Sequence, residues 1–343
     1  MQDFPEFVNK VIKYALKLKE EQVICLTGEI QNLTEDSLVE LPLLEELAVQ
    51  IRKHKAFPII DITTANLKKR FFEEMPPEIL QQTPNYMEKL INLTDSFVEI
   101  SWKSIASGFP TMPKVLDTSF KNISNNMLKK TMNKGNKFIF LNYPDLQLAK
   151  YLNINFKKMS SIYFNAVNID YDELYNFGKE YQRKIRNFSN YQLITADNTL
   201  NFAIDNTKIQ LNTARDNQII IYPSGNLQAE IIPVSLEGTF AAEEVYYKNL
   251  RFKDVKLNFS GGKFNYISFT KESDSNFLLE TEMKNQQDRC IMILGLNSGI
   301  NEFCDYYLYD CHCEGNLSLK FFDKNWQPII FSNINVKIKN KKD

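Results

Sequence analysis

The spacing of apolar residues changes period part-way along the chain, and this limits the possible folds more than any other feature. Up to about residue 186, stretches with helical spacing alternate with short runs of consecutive apolar residues. Phe7, Val8, Val11, Ile12, Ala15 and Leu18 make one stripe at helical period. The apolar run at 22–27 then suits a strand buried on both faces. The same alternation gives a helix over 38–54 with Leu44, Leu47, Ala48 and Ile51 facing inward, and a strand over 57–62. A helix over 84–93 and a strand over 96–101 follow, then a helix over 119–133 that ends at Gly135 and a strand over 137–141. Strands that alternate with helices predict a doubly wound, mostly parallel sheet, a Rossmann-like α/β domain.

From Tyr191 onward the runs become short and alternating: 193–196, 200–204, 219–222, 255–259 and 264–268. Alternation predicts half-buried antiparallel strands, and Gly261-Gly262 between two of them is a hairpin signal. A helix over 273–287 interrupts the series. The charged helix over 170–186 is expected to link the halves. A chain of 343 residues can bury two cores. The expected domains are therefore 1–189, the α/β domain, and 190–343, an α+β domain with antiparallel strands.

Composition excludes several classes of function. The formal net charge is −1, and the one basic cluster is the tail Lys337, Lys339, Lys341 and Lys342. Without a basic stripe or a recognisable reader motif, nucleic acid is not an expected partner. No stretch has the ~20 apolar residues of a membrane helix, and the first residues carry no signal-peptide pattern. Five cysteines, an odd number in a long chain, suit a reducing compartment, so the cytoplasm is the expected location. Ligands of doubly wound sheets sit beyond the carboxyl ends of the strands. Here those loops are 27–29, 61–64, 101–102 and 142–144; Gly28 stands alone, and none is a glycine-rich phosphate loop.

The second half carries four motifs in order. They are Tyr222-Pro-Ser-Gly225 with Pro233 and Glu237-Gly238-Thr239; Leu257-Asn-Phe-Ser-Gly-Gly-Lys-Phe264; Ile293-Leu-Gly-Leu-Asn-Ser-Gly299; and Leu308-Tyr-Asp-Cys-His-Cys-Glu-Gly315-Asn-Leu-Ser318. In this order and spacing they resemble the thermophilic metalloaminopeptidases of the aminopeptidase T type. They also resemble relatives on the same fold such as dihydroxypyridine dioxygenases. That family runs P-x-G-E, a Pro, a Gly-Thr, a Gly-Lys hairpin, G-E-x-x-x-G-x-N-P-G, D-E-x-x-x-G-T-x-H and a final His-x-Asp. The resemblance implies an α/β domain followed by a catalytic α+β domain. There two divalent cations, zinc for example, polarise a carbonyl and supply hydroxide.

Carried over residue by residue, the resemblance leaves the metal without its ligands. Aligned without a gap from Gly225 to Gly238, the first carboxylate falls on Asn226; a small shift brings Glu230 there instead. The second falls on Ile291, in register with Gly295 and Asn297. The histidine of G-T-x-H falls on Ser318, fixed by Asp310 and Gly315. A supporting tyrosine falls near Asn325. The terminal pair falls in 332–335, on Asn333 and Asn335 or on Asn335 and Lys337. The chain has only two histidines, His54 at a basic helix end and His312 inside the last motif.

Asp310-Cys311-His312-Cys313-Glu314 is read as a strand with two buried thiols, Asp310, His312 and Glu314 forming a polar outer face. The expectation is a pseudoenzyme of the aminopeptidase fold, without cofactor, that binds a peptide or protein, and a place in a peptide-modification pathway fits it. Two alternatives stand beside it. One is a hydrolase with a divalent-metal site rebuilt from Glu230, Asp310, His312 and the cysteines; the other is a structural subunit. The family's dimers make a homodimer the expected assembly by resemblance alone.

Overall fold

The structure, a computed structural model, describes residues 4–30, 40–80, 85–100, 129–144, 146–215, 217–248, 250–270 and 274–340. Two compact units emerge. One comprises Met1–Phe156 with Ala214–Pro223, the other Lys157–Thr213 with Ser224–Asp343.

The first unit is the α/β layer. Helix α1 (Phe4–Lys10) runs on into a π-helical stretch, Val11–Leu16. Then come β1 (Val23–Ile30), α2 (Glu40–Lys53), β2 (Phe57–Thr64), α3 (Ala65–Glu74), α4 (Pro77–Leu80), α5 (Asn85–Leu93), β3 (Ser96–Glu99), β4 (Lys137–Phe140) and α6 (Leu146–Tyr151). The four strands are parallel in the order β2-β1-β3-β4. A fifth, Ile219–Ile221, pairs parallel to β4 and closes the sheet. Cys25, Ile91 and Phe97 form one buried cluster, with Phe97 stacked on Phe138 at 5.5 Å. The expected helix over 119–133 is seen only at 129–133, its remainder and the 101–102 loop lying outside the described residues.

The second unit starts with α7 (Phe156–Val167) and α8 (Tyr171–Arg186), then β5 (Asn190–Thr195) and β6 (Asn198–Asn212). The chain leaves for the fifth parallel strand, β7, and returns as β8 (Asn226–Tyr247), β9 (Leu250–Ser260), β10 (Lys263–Phe269), α9 (Asp274–Lys284) and β11 (Cys290–Gly295). The short helix α10 (Tyr307–Asp310) and strands β12 (Leu317–Phe322), β13 (Pro328–Asn333) and β14 (Val336–Asn340) complete it. The nine strands form one antiparallel sheet ordered β11-β12-β13-β8-β6-β5-β14, with β9 on β8 and β10 on β9.

Strand β8 is 22 residues long and is used twice. Its first part pairs with β11, from Asn226↔Gly295 to Ile231↔Cys290, and its last part pairs with β13, from Glu244↔Ser332 to Tyr247↔Ile329. Because β11 pairs with β12 and β12 with β13, these four strands close on themselves. Gly238, at φ 108°, lies where β8 passes so close to β6 that a Cβ would meet the Thr199 carbonyl oxygen at 2.2 Å. Phe259 stacks on Phe321 at 5.5 Å and Phe321 meets Phe331 edge-on at 5.9 Å, all three fully buried. Among the described residues no helix is long and apolar enough to cross a membrane.

Three expectations about the chain's organisation differ from what is observed. The units do not divide at residue 189. Helix α8 does not link them but packs on β6 of the second unit: Gln182 Nε2 donates to the Ile209 carbonyl at 3.1 Å, and Gly178 faces Leu211 so closely that a Cβ would lie 2.5 Å from Cδ1. Ile219–Ile221 is a parallel strand of the first sheet, as three consecutive β-branched residues favour, and not an antiparallel strand of the second. The stretch expected to be a strand at 310–314 is the end of α10 and a turn. Backbone N–H groups of Asp310, Cys311, His312 and Cys313 donate to Tyr306, Tyr307, Tyr309 and Asp310 in turn.

The Gly261-Gly262 hairpin is present, with φ 58° and 77° at its two loop residues, the geometry that two-residue hairpins favour. A Cβ on Gly261 would meet nothing within 4 Å, whereas one on Gly262 would lie 2.4 Å from Val234 Cα. Gly261→Ala should therefore cost about 1 kcal/mol from its left-handed backbone alone. Gly262→Ala should cost clearly more, and urea unfolding of the two variants measures the difference.

Candidate functional site

The register of the sheet places most of the motif positions on one face. Pairing across strands gives two adjacent rows of side chains. The first runs Glu230, Ile291, Lys320, Ile330, Tyr246, and the second Gln228, Ile293, Ser318, Ser332, Glu244. Asn226 lies two residues before Gln228 on the same face. The neighbouring odd-numbered positions Leu227, Ala229, Ile231, Leu319, Phe321 and Phe331 pack into the apolar core behind it.

Of the motif positions, Asn226, Ile291 and Ser318 lie on this face, and Glu230 stands directly across from Ile291. Asn333 does not. It points to the opposite face, donating to the Ala241 carbonyl at 2.8 Å and accepting from the Asn335 backbone N–H at 2.7 Å. Asn335 is exposed and donates to Glu243 at 2.7 Å. Asn325 is in the exposed β12–β13 turn, its N–H bonded to Asp323 Oδ1 at 2.8 Å. The residue that faces Ser318 is Ser332, one position before the expected pair. Strand alternation decides this, and the sequence has no marker for the register.

The buried polar groups here are bonded to one another. Ser318 and Ser332 are fully buried and share a hydroxyl hydrogen bond of 2.7 Å, while Asn316 Nδ2 donates to Ser318 Oγ at 3.2 Å. Asn226 Nδ2 donates to His312 Nδ1 at 3.1 Å, and its Oδ1 accepts from Asn212 at 3.0 Å and from Gln228 at 3.3 Å. Burial pushes His312 down to about 4, opposed by a bond with the Gly225 backbone. His312 is therefore a neutral ring committed to Asn226 and Gly225, and not part of an exposed polar face. Burial holds the Cys311 and Cys313 thiols up at about 12, so neither is a ready nucleophile. All five cysteines are free and buried.

Asp310 is fully buried beneath the same loop. Its Oδ1 accepts from the Cys304 backbone N–H at 2.8 Å and its Oδ2 from the Tyr246 hydroxyl at 2.8 Å, so both oxygens are engaged. Burial pushes its carboxyl up to about 7 against the pull of those donors. Glu230 is paired with Lys208 at 3.1 Å, with Arg289 at 3.9 Å. Glu244 is paired with Lys253 at 2.8 Å and lies 3.7 Å from Arg251, and burial raises its carboxyl. Glu230 and Glu244 end the two rows on either side of β11, β12 and β13. The set Glu230, Asp310, His312 and the cysteines is thus not gathered at one point. Among the described residues no group of three or more His, Cys, Asp or Glu side chains is arranged to hold a metal ion.

The framework of the motifs has clear structural work. Asn297 is fully buried; its Nδ2 donates to the Ala166 and Ser224 carbonyls at 3.0 and 2.7 Å, and its Oδ1 accepts from the Gly299 N–H at 2.9 Å. Gly295 lets the 310–316 loop approach: a Cβ there would lie 1.9 Å from the Cys313 carbonyl oxygen. On the first unit a shallow hollow of about 520 Å³ is lined by Ala48, Val49, Arg52, Lys53 and Pro58, which bring no acid or nucleophile together.

With the geometry established, comparison with known proteins is informative. The structure superimposes on wild-type AmpT from Thermus thermophilus with a TM-score of 0.66 at 11% identity, covering 98% of this chain and 94% of that one. The chain has the aminopeptidase T fold. No family model matches the sequence, and no curated protein matches it. The likeness spans both units and extends to the fold alone. The divalent ions implied by the aminopeptidase T fold do not suit the donors on this face. Ile291 offers hydrocarbon, Ser318 and Ser332 are bonded to each other, and Asn226 turns its amide to His312.

Asn297→Ala would leave two buried carbonyls without a donor and should cost about 3 kcal/mol in chemical denaturation. For Asp310, the native state keeps a proton between the ordinary value of 3.8 and about 7. Its contribution to stability is complete below 3.8 and is lost as pH rises to about 7. His312 has the opposite slope, losing stability as pH falls from 6.5 towards about 4, but it is common to wild type and an Asp310 variant. The Tm advantage of wild type over Asp310→Asn should therefore shrink steadily as pH rises towards about 7. A constant difference would contradict a buried, proton-retaining Asp310.

Proposed function

We propose that this chain binds a peptide or a protein through the sheet face of its second unit and does not hydrolyse it. The observation that supports this most is the content of the two rows. Where a two-metal peptidase of this fold would need imidazoles and carboxylates, the chain has Ile291, a bonded Ser318–Ser332 pair and Asn226. The architecture around them is intact, from the Asn297 bonds to the close packing at Gly295. A scaffold of this precision, with the two carboxylates of the face, Glu230 and Glu244, already held in ion pairs at its ends, suits recognition more than turnover.

The face also has the texture of a binding surface. Gln228, Ile291 and Lys320 are half-buried, and the half-buried Tyr307 ring lies 5.9 Å from that of Tyr246. Apolar and aromatic walls with a few polar groups are what short peptides need to be held. Trp326 is 56% exposed, whereas Tyr247, Tyr309 and Phe321 are core residues.

The test is incubation of the purified chain with a panel of short peptides, with and without added zinc or cobalt, following both release of N-terminal amino acids and saturable binding. Binding without release is expected. Release that rises with added metal and stops on chelation would contradict the proposal and favour a rebuilt hydrolase.

A further inference from the structure

Lys320 is the one cation of the two rows, and no motif accounts for it. Its place is set by the sheet: on β12 it stands two residues from Ser318, with Ile291 directly across on β11 and Ile330 directly across on β13. It therefore lies beside two of the carried-over ligand positions, Ile291 and Ser318. The side chain is half-buried, and its ammonium lies 5.2 Å from the centre of the Phe322 ring.

Its charge is not balanced within the described residues. Glu230, at the end of the same row, is already held by Lys208 at 3.1 Å and approached by Arg289 at 3.9 Å. Glu244, at the end of the other row, is taken by Lys253 and Arg251. Asp310 is engaged by the Cys304 backbone and Tyr246. Burial lowers the lysine's proton affinity; the Cys311 thiol, itself held protonated by burial, works against this, and the nearby cation Arg289 adds to it. A cation taken partly out of water without a counter-ion is destabilising. An anion arriving at this point would offset that cost.

We propose that the Lys320 ammonium stands in for the divalent cation and holds an oxyanion of the ligand. This rests on the binding role proposed above and specifies its chemistry. Both a carboxylate and a phosphate are oxyanions a lysine can hold. The half-buried Ile291 directly across from the charge favours a carboxylate next to an apolar side chain, as at the C-terminus of a peptide ending in Leu or Phe. One fixed positive charge retains the attraction for oxygen that the metals would have provided. It does not provide the activated hydroxide, since an ammonium does not make water a nucleophile at neutral pH.

The experiment is calorimetric titration of wild type, Lys320→Met and Lys320→Arg with three probes. These are a tripeptide with a free C-terminal leucine, the same tripeptide amidated, and inorganic phosphate. Wild type should bind the free acid about tenfold or more tightly than the amide, the scale of one charge-assisted hydrogen bond. Lys320→Met should abolish that preference and Lys320→Arg should keep part of it. Thermal unfolding should show Lys320→Met at least as stable as wild type, because an unbalanced charge has been removed. Should Lys320→Met not fold, Lys320→Gln takes its place.

Equal binding of acid and amide by wild type, or an undiminished preference in Lys320→Met, would overturn the assignment and leave the peptide-binding reading standing. Phosphate bound in a Lys320-dependent way with neither peptide bound would uphold the oxyanion site and overturn the peptide reading. No binding of any probe would overturn both.

Discussion

Strand β8 is paired at both of its halves, and the rest of the second unit depends on that. Its first residues pair with β11 and its last with β13, so β11, β12 and β13 are held between two parts of one strand. The pairing fixes the register of every neighbour. A slip of one residue would exchange the buried Leu319, Phe321 and Phe331 for Ser318, Lys320 and Ser332. The turn of β8 around this group depends in part on Gly238, whose lack of a Cβ admits the Thr199 carbonyl. The rows of the candidate site follow directly from a pairing that the core enforces.

The same constraint separates architecture from chemistry. Gly295, Asn297 and Asp310 are motif residues, and each is explained by packing or by buried hydrogen bonds. They are needed whatever happens on the sheet face. Ile291 and Ser318 carry no comparable framework role: Ile291 is half-buried, and Ser318 bonds to Ser332 and Asn316. The framework of the motifs can thus be explained without reference to what the sheet face binds. The bonded pair Ser318–Ser332 leaves no unpaired charge at this fully buried point.

The sequence made the architecture readable where elements were long or strongly patterned. Within the described residues, the alternation in the first 140, the Gly-Gly hairpin and, apart from Ile219–Ile221, the antiparallel strands of the second half are found. Short and non-local features were harder to read. Ile219–Ile221 is three residues long and pairs with a strand some eighty residues earlier, which no local pattern reveals. The 310–314 stretch has no periodicity of its own; its helical turn is part of a loop anchored by Asn297 and the bridge from Asn297 to Cys313. At the site, the motif spacing indicated Asn226, Ile291 and Ser318, which share one face, but also Asn325, Asn333 and Asn335, which lie elsewhere. It did not indicate Ser332 or Lys320, because their roles depend on cross-strand register. The contact between Asn226 and His312, 86 residues apart, also required the fold.

If, as proposed, the sheet face holds its ligand by the Lys320 charge, it should not take up a pair of metal ions. The most direct measurement is titration of the metal-free chain with cobalt(II), followed by calorimetry and by the visible spectrum, which reports the ligands around the ion. No stoichiometric pair of bound ions is expected, and Asn226→Glu with Ile291→Glu and Ser318→His should begin to restore uptake. Two tightly bound ions per unmodified chain, released when Asn226 and Ser318 are replaced by alanine, would contradict the account.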